Sequence, residues 1–328
     1  MQAPENIYRL QTMLPGNGAG KMNAYLFKTE EGCLLVDTGW NDRNSYNALV
    51  SQLKAAGASL ADVRFILITH THPDHYGMVH RLVSQISAEV VIHEQEQAIL
   101  QMRADNYEKM SEEMAAWLEA HDMPDDLRRP YKQSSLATLG LVPAPLPFRT
   151  VRGGEHLSIG DYEFEILWTP GHSPGHICLY EAERKLLVAG DHILPDTTSN
   201  VSMYLETMPN PLDQYLKALD AMRGLEVKKA LPSHGEMFDH ISDRIDAIQQ
   251  HHKNRLAEMK MIITGGEQTT RQVAEAARWV EGRVTWGELN TFAKQMALTE
   301  TIAHLELLYD RGEAVRTFRD GRYRYMLA

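Results

Sequence analysis

Two cysteines in 328 residues, Cys33 and Cys178, are too few for a disulfide framework. Both sit inside apolar strand-like runs, so they read as buried thiols of a reducing cytoplasm. No segment reaches the ~18 consecutive apolar residues of a membrane span. The first residues, Met1-Gln2-Ala3-Pro4-Glu5-Asn6, carry neither a basic region nor an apolar core, so no signal peptide is expected. Positive charge is also short. The formal net charge is −11, which argues against wholesale nucleic-acid binding. The deficit is uneven: from Ser242 onward 13 Lys and Arg face 12 Asp and Glu, which leaves 20 against 32 before it. Apolar content is ordinary for a soluble globular protein, and the length suits one large domain plus a small one.

What the chain does have is concentrated in Phe65-Ile66-Leu67-Ile68-Thr69-His70-Thr71-His72-Pro73-Asp74-His75. The apolar run reads as a buried strand, and Pro73 forbids simple continuation of any ladder. His70, His72, Asp74 and His75 then gather on a loop at the carboxyl end of a strand, where open α/β sheets put their chemistry. Neutral imidazoles with a carboxylate suit zinc, iron or manganese. The bland alternative is an exposed loop rich in histidine by chance. Four potential ligands within six residues after a strand weigh against it.

Around this loop the chain alternates strands and helices. Ile7–Leu14 and Asn23–Thr29 look like the first strands of a meander, with Gly16, Gly18 and Gly20 in the turn. Gly32–Val36 is a third, ending in Val36-Asp37-Thr38-Gly39. Ser45–Ala56 has helical spacing and Gly57 as its cap. Arg64–Thr69 delivers the histidine loop, Gly77–Ser84 is a helix and Val90–His93 a strand. The stretch from Glu94 to about Phe148 is longer than a simple connection. It is polar and carries Met102, Met110, Met114 and Met123 beside Trp117 and Leu118. It reads either as a helical insertion packed on the core, with methionine as gap-filler, or as a lid that shapes a pocket. Pro143-Ala144-Pro145-Leu146-Pro147 reads as a stiff extended linker.

The second half repeats the plan. Tyr162–Trp168 is a strand running into Thr169-Pro170-Gly171-His172-Ser173-Pro174-Gly175-His176. Ile177–Glu181 and Lys185–Ala189 form a hairpin that leads to Gly190-Asp191. Pro211–Met222 is a helix, and Lys229–Pro232 a last strand before Ser233-His234-Gly235. From about His240 the pattern turns helical: Ile241–Ile263, Thr270–Val280, Trp286–Ala297 and Glu300–Arg311. Glu313–Phe318 and Arg322–Leu327 flank an Asp320-Gly321 turn, a strong hairpin signal. Leu298, Ile302, Leu305 and Leu308, with Leu307 beside them, make an apolar stripe that needs cover from neighbouring elements or a second chain.

Taken in order, Asp37-Thr38-Gly39, His70-Thr71-His72-Pro73-Asp74-His75, Pro170-Gly171-His172, Gly190-Asp191 and Ser233-His234-Gly235 resemble the signature of the metallo-β-lactamase-fold hydrolases. The resemblance covers essentially the whole chain and is looser in the last quarter. It implies an α+β fold, a four-layer αββα sandwich over residues 1–240 with an insertion at about 94–148. It also implies a small C-terminal winged-helix-like domain over 241–328, as one subgroup carries. By the same resemblance one metal takes His70, His72 and His172, another takes Asp74, His75 and His234, and Asp191 bridges them. Asp37 then holds a ligand imidazole in its tautomer and orientation. Two zinc ions are expected, with iron or manganese as alternatives. Asp74 and Asp191 are catalytic through the metals they carry. The implied nucleophile is a metal-bridging hydroxide, available near neutral pH because two cations draw the pKa of bound water towards ~7. One departure is Met78 after Gly77, where many members have Gly-Gly; it affects local packing and not the ligands.

Ten histidines remain outside that set. His192 follows Asp191 and points the opposite way if the segment is extended; it and Trp117 are candidate substrate contacts. His80 and His93 read as packed groups and His176 as a local hydrogen-bonding residue. His121, His156, His240, His251, His252 and His304 have no evident partners and read as surface. The favoured function is hydrolysis of a small ester-like substrate, a thioester, lactone or carboxylic ester, because an acidic chain repels phosphate-rich polymers. The alternative is a metal-dependent nuclease or phosphodiesterase, with Arg311, Arg316, Arg319, Arg322 and Arg324 of the hairpin contacting phosphates. A non-catalytic interaction module on a dead scaffold is disfavoured by the complete ligand set. The expectation is a cytoplasmic enzyme with a small-molecule substrate, no membrane contact and a homodimer as an option.

Overall fold

A computed structural model describes residues 6–15, 20–129, 146–203, 209–280 and 282–328. The turn glycines Gly16 and Gly18, and residues 143–145 of the stiff linker, lie outside them. The first sheet is built from β1 (Ile7–Met13), β2 (Lys21–Thr29), β3 (Gly32–Val36), β4 (Val63–Leu67), β5 (Glu89–His93) and β6 (Phe148–Val151), in that spatial order. The first two pairings are antiparallel and the next three parallel. The change follows from the connections, since parallel neighbours need a crossover and antiparallel ones a turn. Helix α1 (Arg43–Ala55) makes the first crossover. Asp42 caps it by accepting from Asn44 N and Ser45 N, and Gly57 ends it at φ +68°.

The second sheet runs β11 (Lys229–Pro232), β10 (Leu186–Gly190), β9 (Ile177–Glu181), β8 (Tyr162–Trp168), β7 (His156–Ile159). Alternation along the strands decides what each face meets. Phe27, Leu34, Val36, Leu67 and Val91 of the first sheet pack on Phe164, Ile166, Leu179 and Val188 of the second, which forms the layer between the sheets. Leu26, Leu35, Ile66 and Ile92 face the other way and meet Leu49 and Leu53 of α1 and Val79 and Leu82 of α3 (Val79–Val83). On the far side Leu187, Ala189 and Ala230 meet Leu212, Tyr215 and Leu219 of α5 (Pro211–Met222). The layers are therefore helix, sheet, sheet, helix. The hairpin of β9 and β10 and the burial of both thiols stand as the sequence suggests.

Helix α4 (Glu94–Ala120) opens the insertion, and its Met114 and Leu118 pack with Met123 and Leu127 on Leu298 and Ile302. The C-terminal quarter consists of α6 (Ile241–Ile263), β12 (Gln268–Thr269), α7 (Thr270–Ala276), α8 (Thr291–Asp310), β13 (Ala314–Arg319) and β14 (Arg322–Leu327). The strands form an antiparallel sheet in the order β12-β14-β13. Asp320 and Gly321 both take positive φ at the hairpin turn. The α8 stripe is covered from within the chain: Leu298 and Ile302 by the insertion, Leu305 and Leu308 by the core that α5, α6 and the second sheet share.

Two expectations need correction. Trp286–Ala297 and Glu300–Arg311 are not separate helices. A short 3₁₀ turn covers Trp286–Glu288, and α8 then runs unbroken through Thr299, whose hydroxyl bonds back to the Gln295 carbonyl at 3.1 Å. His121, His252 and His304 are not surface groups. Each is buried: His252 and His304 where α6 and α8 face one another, His121 where the end of α4 meets β14 and α7. His252 Nδ1 meets His304 Nε2 at 3.2 Å, and the His121 ring lies against Trp117 and Tyr323. Among the described residues no helix is long and apolar enough to cross a membrane.

Candidate metal centre

The site forms where strands of both sheets end. Asp37 follows β3, the histidine loop follows β4, His172 follows β8, Asp191 follows β10 and His234 follows β11. Local sequence explains each turn. His72 stands at the start of α2 (Pro73–Tyr76), where Pro73 occupies the first helical position and needs no donor partner. Asp74 and His75 then sit on that first turn. Gly77 has no room for a side chain: an added Cβ would lie 2.3 Å from the Pro73 carbonyl oxygen. Met78 fills the next position and is fully buried. Gly171, at φ +132°, lets the His172 loop pass Tyr215, where a Cβ would sit 2.4 Å from the Tyr215 Cβ.

Three ring nitrogens converge. His70 Nε2 lies 2.9 Å from His72 Nδ1 and 3.2 Å from His172 Nε2, and His172 Nε2 lies 3.1 Å from His72 Nδ1. For His70 and His172 the proton is on the other side of the ring. His172 Nδ1 donates to the Asn200 carbonyl at 2.8 Å, and a carbonyl can only accept. The Thr69 hydroxyl donates to Asp37 Oδ2 at 2.9 Å, so it accepts from His70 Nδ1 at 3.1 Å. Lone pairs of His70 and His172 thus face one another with no proton between them. That is the arrangement of ligands around a cation. Four nitrogens tetrahedral about zinc at ~2.05 Å would stand about 3.3 Å apart, close to these spacings.

A second group lies beside the first. Asp74 Oδ2 is 3.6 Å from His75 Nε2 and 3.4 Å from His234 Nε2. His75 Nδ1 donates to Asp37 Oδ2 at 2.8 Å and His234 Nδ1 to the Lys21 carbonyl at 3.1 Å, which again aims the other nitrogen inward. Asp191 joins the two groups. Its Oδ1 lies 3.6 Å from His75 Nε2 and 3.5 Å from His234 Nε2, and its Oδ2 lies 3.5 Å from His172 Nε2. His75 Nε2 and Asp191 Oδ1 are buried and have no hydrogen-bond partner. Buried polar atoms of this kind call for a partner. Among the described residues every ion-pair partner of Asp74 and Asp191 is a histidine.

The electrostatics divide the site. Burial holds the His70 imidazole well below its ordinary range and takes His72 down to about 3, so these two rings are neutral. Burial also opposes charge on His75, but the carboxylates of Asp74, Asp191 and Asp37 outweigh it and push the ring up to about 10. The second group therefore attracts positive charge. The sets His70, His72, His172 and Asp74, His75, His234 each can hold a metal ion, as can His70, His75, Asp191. Imidazole and carboxylate donors of this mix fit zinc or a similar divalent cation.

The structure brings together all seven residues that the sequence nominates as ligands, with Asp37 behind them. It does not bring Trp117 or His192 to the converging atoms. Trp117 packs in the α4–α8 cluster. The His192 ring is buried between His176 and Tyr215, and neither of its nitrogens has a hydrogen-bond partner. Sequence reading missed Glu96. This buried carboxylate accepts from Thr71 N and Gly175 N at 2.9 Å each, and from the Thr71 hydroxyl, so it ties the His70–His72 loop to the His172 loop. Burial raises its carboxyl, and the hydrogen bonds from Thr71, Ser173 and Gly175 lower it further than burial raises it. Glu96 stands in the first turn of a helix that directly follows a strand parallel to β4, a place where acidic residues are common, so the sequence alone did not mark it. His176 also supports the site, accepting from Asp191 N at 3.0 Å.

The family model described as the metallo-beta-lactamase superfamily matches residues 17–234. The probable metallo-hydrolase YqjP of Bacillus subtilis (strain 168) is 24% identical over 319 residues, covering 93% of each chain. The acyl-coenzyme A thioesterase MBLAC2 of Gallus gallus is 32% identical over 230 residues, 66% of this chain and 74% of that one. Among solved structures, a metallo-beta-lactamase family protein from Thermus thermophilus superposes with a TM-score of 0.83 at 28% identity, covering 98% of this chain and 99% of the other.

Proposed function

The chain belongs to the metallo-β-lactamase superfamily, and from that premise we propose that it is a dinuclear zinc hydrolase of a small thioester substrate. The observation that carries the reading is Asp191, whose two oxygens face the two histidine groups from one carboxylate. His70, His72 and His172 would hold one ion, Asp74, His75 and His234 the other, with Asp191 shared. Ions bound there supply Lewis acidity toward a substrate carbonyl and acidify a water so that it ionises near neutral pH.

The chain's own residues do the rest. Asp37 keeps the proton of His75 on Nδ1, which leaves Nε2 free as a ligand atom. The Lys21 and Asn200 carbonyls do the same for His234 and His172. Burial raises the Asp74 carboxyl, but His75 and His234 hold it well below the usual carboxylate range, so it stays an ionised acceptor. Glu96 fixes the distance between the two loops that carry the three-histidine group.

The thioester is favoured because the similar MBLAC2 chain is described as an acyl-coenzyme A thioesterase. The nuclease alternative loses support from the hairpin arginines. Arg316 pairs with Glu306, Arg319 with Glu267 at 3.4 Å and Arg322 with Asp122 at 3.1 Å. The C-terminal quarter is proposed as a winged-helix-like unit that packs on the hydrolase core. The test is zinc-loaded protein against acyl-coenzyme A thioesters, lactones, aryl esters and phosphodiesters, each with a chelator control. Thioester turnover abolished by the chelator is expected. Turnover of the phosphodiesters alone would overturn the reading.

A further inference from the structure

His172 sits on a loop, and what fixes its ring lies on another stretch with no regular structure of its own. His172 Nδ1 faces the Asn200 carbonyl at 2.8 Å and the Ser199 hydroxyl at 3.0 Å. Residues 198–203 belong to no helix or strand. Backbone in that state is held only by the contacts it makes. Those contacts come from the C-terminal quarter. Asn200 Nδ2 donates to Glu300 Oε2 at 3.3 Å. The Ser202 hydroxyl meets Thr299 Oγ1 at 2.8 Å and Met203 N donates to the Thr299 carbonyl at 3.3 Å. Earlier in the same segment, Arg244 of α6 donates to the Leu194 and Thr197 carbonyls at 2.6 Å each. Val201 is fully buried between these anchors.

We propose that Glu300 of α8 is a positioning residue for the metal centre, acting through Asn200 on the imidazole of His172. This rests on the reading of His172 as a metal ligand. Asn200 is the link because it works at both ends: its main-chain oxygen takes the His172 proton, and its side-chain amide donates to Glu300 while its Oδ1 accepts from the Ser202 hydroxyl at 2.5 Å. Rotation of that peptide would remove the acceptor from Nδ1 and leave the ring free to turn. The C-terminal quarter thereby shares in building the site, although none of its residues belongs to the converging set. It also reaches the three-histidine group and not the Asp74, His75, His234 group, whose outward nitrogens are held by Asp37 and Lys21.

The full-length chain is stripped of metal and titrated with zinc against a chromophoric chelator. Glu300→Ala should weaken one of two bound ions by about tenfold, the low end of the ~10–100-fold typical when an outer partner of a ligand is lost. The other ion should be unaffected, and the melting temperature of the metal-free protein should not move. Glu300→Gln, which keeps an acceptor oxygen, should restore most of the affinity. Asn200→Ala, which also loses the Ser202 bond, should weaken the same ion at least as much as Glu300→Ala, and the double variant should be no weaker than Asn200→Ala, because the two act in series. Should Glu300→Ala fail to fold, Asn200→Ala, which leaves α8 intact, carries the test. Unchanged affinity in these variants, equal weakening of both ions, or additive losses in the double variant would overturn the inference. A wild-type chain that takes up no zinc would refute the metal reading itself, and the inference with it.

Discussion

Acid should unfold this protein early, and part of the reason lies away from the metal centre. His252 and His304 are buried between α6 and α8, and His121 between the end of α4, β14 and α7. Burial, with Arg316 nearby, takes His121 down to about 3. Burial likewise takes His304 down to about 3, and it holds His252 well below its ordinary value. In the unfolded chain each returns to about 6.5. Between those values the unfolded state binds the proton and the folded state does not, so stability falls as pH falls. From pH 7 to 5.5 each group costs about 1.3 kcal/mol, and the three together about 4 kcal/mol. A domain's whole stability is about 5–15 kcal/mol. His75 runs the other way in metal-free protein. Its pKa is raised, so its contribution is complete below the unfolded value and is lost as pH rises through about 10. Over the same interval it returns less than about 1 kcal/mol. Burial also holds His70 and His72 low in metal-free protein, so they add to the fall. Urea unfolding of chelator-treated protein at constant ionic strength, from pH 7 to 5.5, measures the total, and single variants apportion it. His121→Gln should remove about one proton's worth of the slope. An unfolding free energy that stayed flat across that interval, at constant m-value, would refute the assignment of these histidines as neutral and buried.

The remaining predictions concern the site and its supports. Asp191→Asn removes the shared charge, and loss of metal and turnover should exceed the ~10–100-fold typical of outer partners; metal analysis showing two ions with normal hydrolysis would contradict it. Trp117→Ala should lower the melting temperature through the α4–α8 cluster. A shift in substrate preference at unchanged melting temperature would instead put the ring against substrate. Truncation after His240 removes Ile241, Ile245, Ile248, Leu256, Met259, Ile263, Leu305 and Leu308 from a shared core. At roughly 2 kcal/mol per buried side chain, that exceeds any reserve. The truncated chain should be insoluble or unfolded by circular dichroism. A folded, active product would make the C-terminal quarter an independent unit.

The candidate ligands of the His70–His75 loop were legible because their positions are dictated locally, whereas His172, Asp191 and His234 were read from the family resemblance. An apolar run must be a strand, Pro73 must end it, and the histidines and aspartate that follow have nowhere to go but the sheet's carboxyl edge. The same logic read Pro211–Met222, Lys229–Pro232 and Ile241–Ile263 to the residue, where a proline, a strand-sized apolar run or a pair of glycines marks the ends. It failed at α8. A stretch without proline or glycine from Thr291 to Asp310 offers no stop signal, yet the threonines at 299 and 301 weaken the helical pattern enough to suggest one. The helix continues because both its faces are covered by tertiary packing that no local window contains.

The burial of His121, His252 and His304 and the roles of Glu96, Asn200 and Glu300 share that cause. A histidine on an exposed helix and one at a packed junction look alike in sequence; only the packing of α6 on α8, and of the end of α4 on β14 and α7, separates them. The polar groups that orient the ligands are as dispersed as the ligands are clustered. The Asn200 carbonyl belongs to a segment without periodicity, Glu300 lies 128 positions from His172 along the chain, and Glu96 reads as an ordinary acidic residue in a first helical turn. A metal ligand must supply a particular atom, so its residue type is constrained and its spacing is visible. The group that orients it need only offer an oxygen, which a carbonyl, a hydroxyl or a carboxylate can do equally well. Chemistry that many residue types can perform leaves no signature in one sequence, and it becomes apparent only where the fold delivers it.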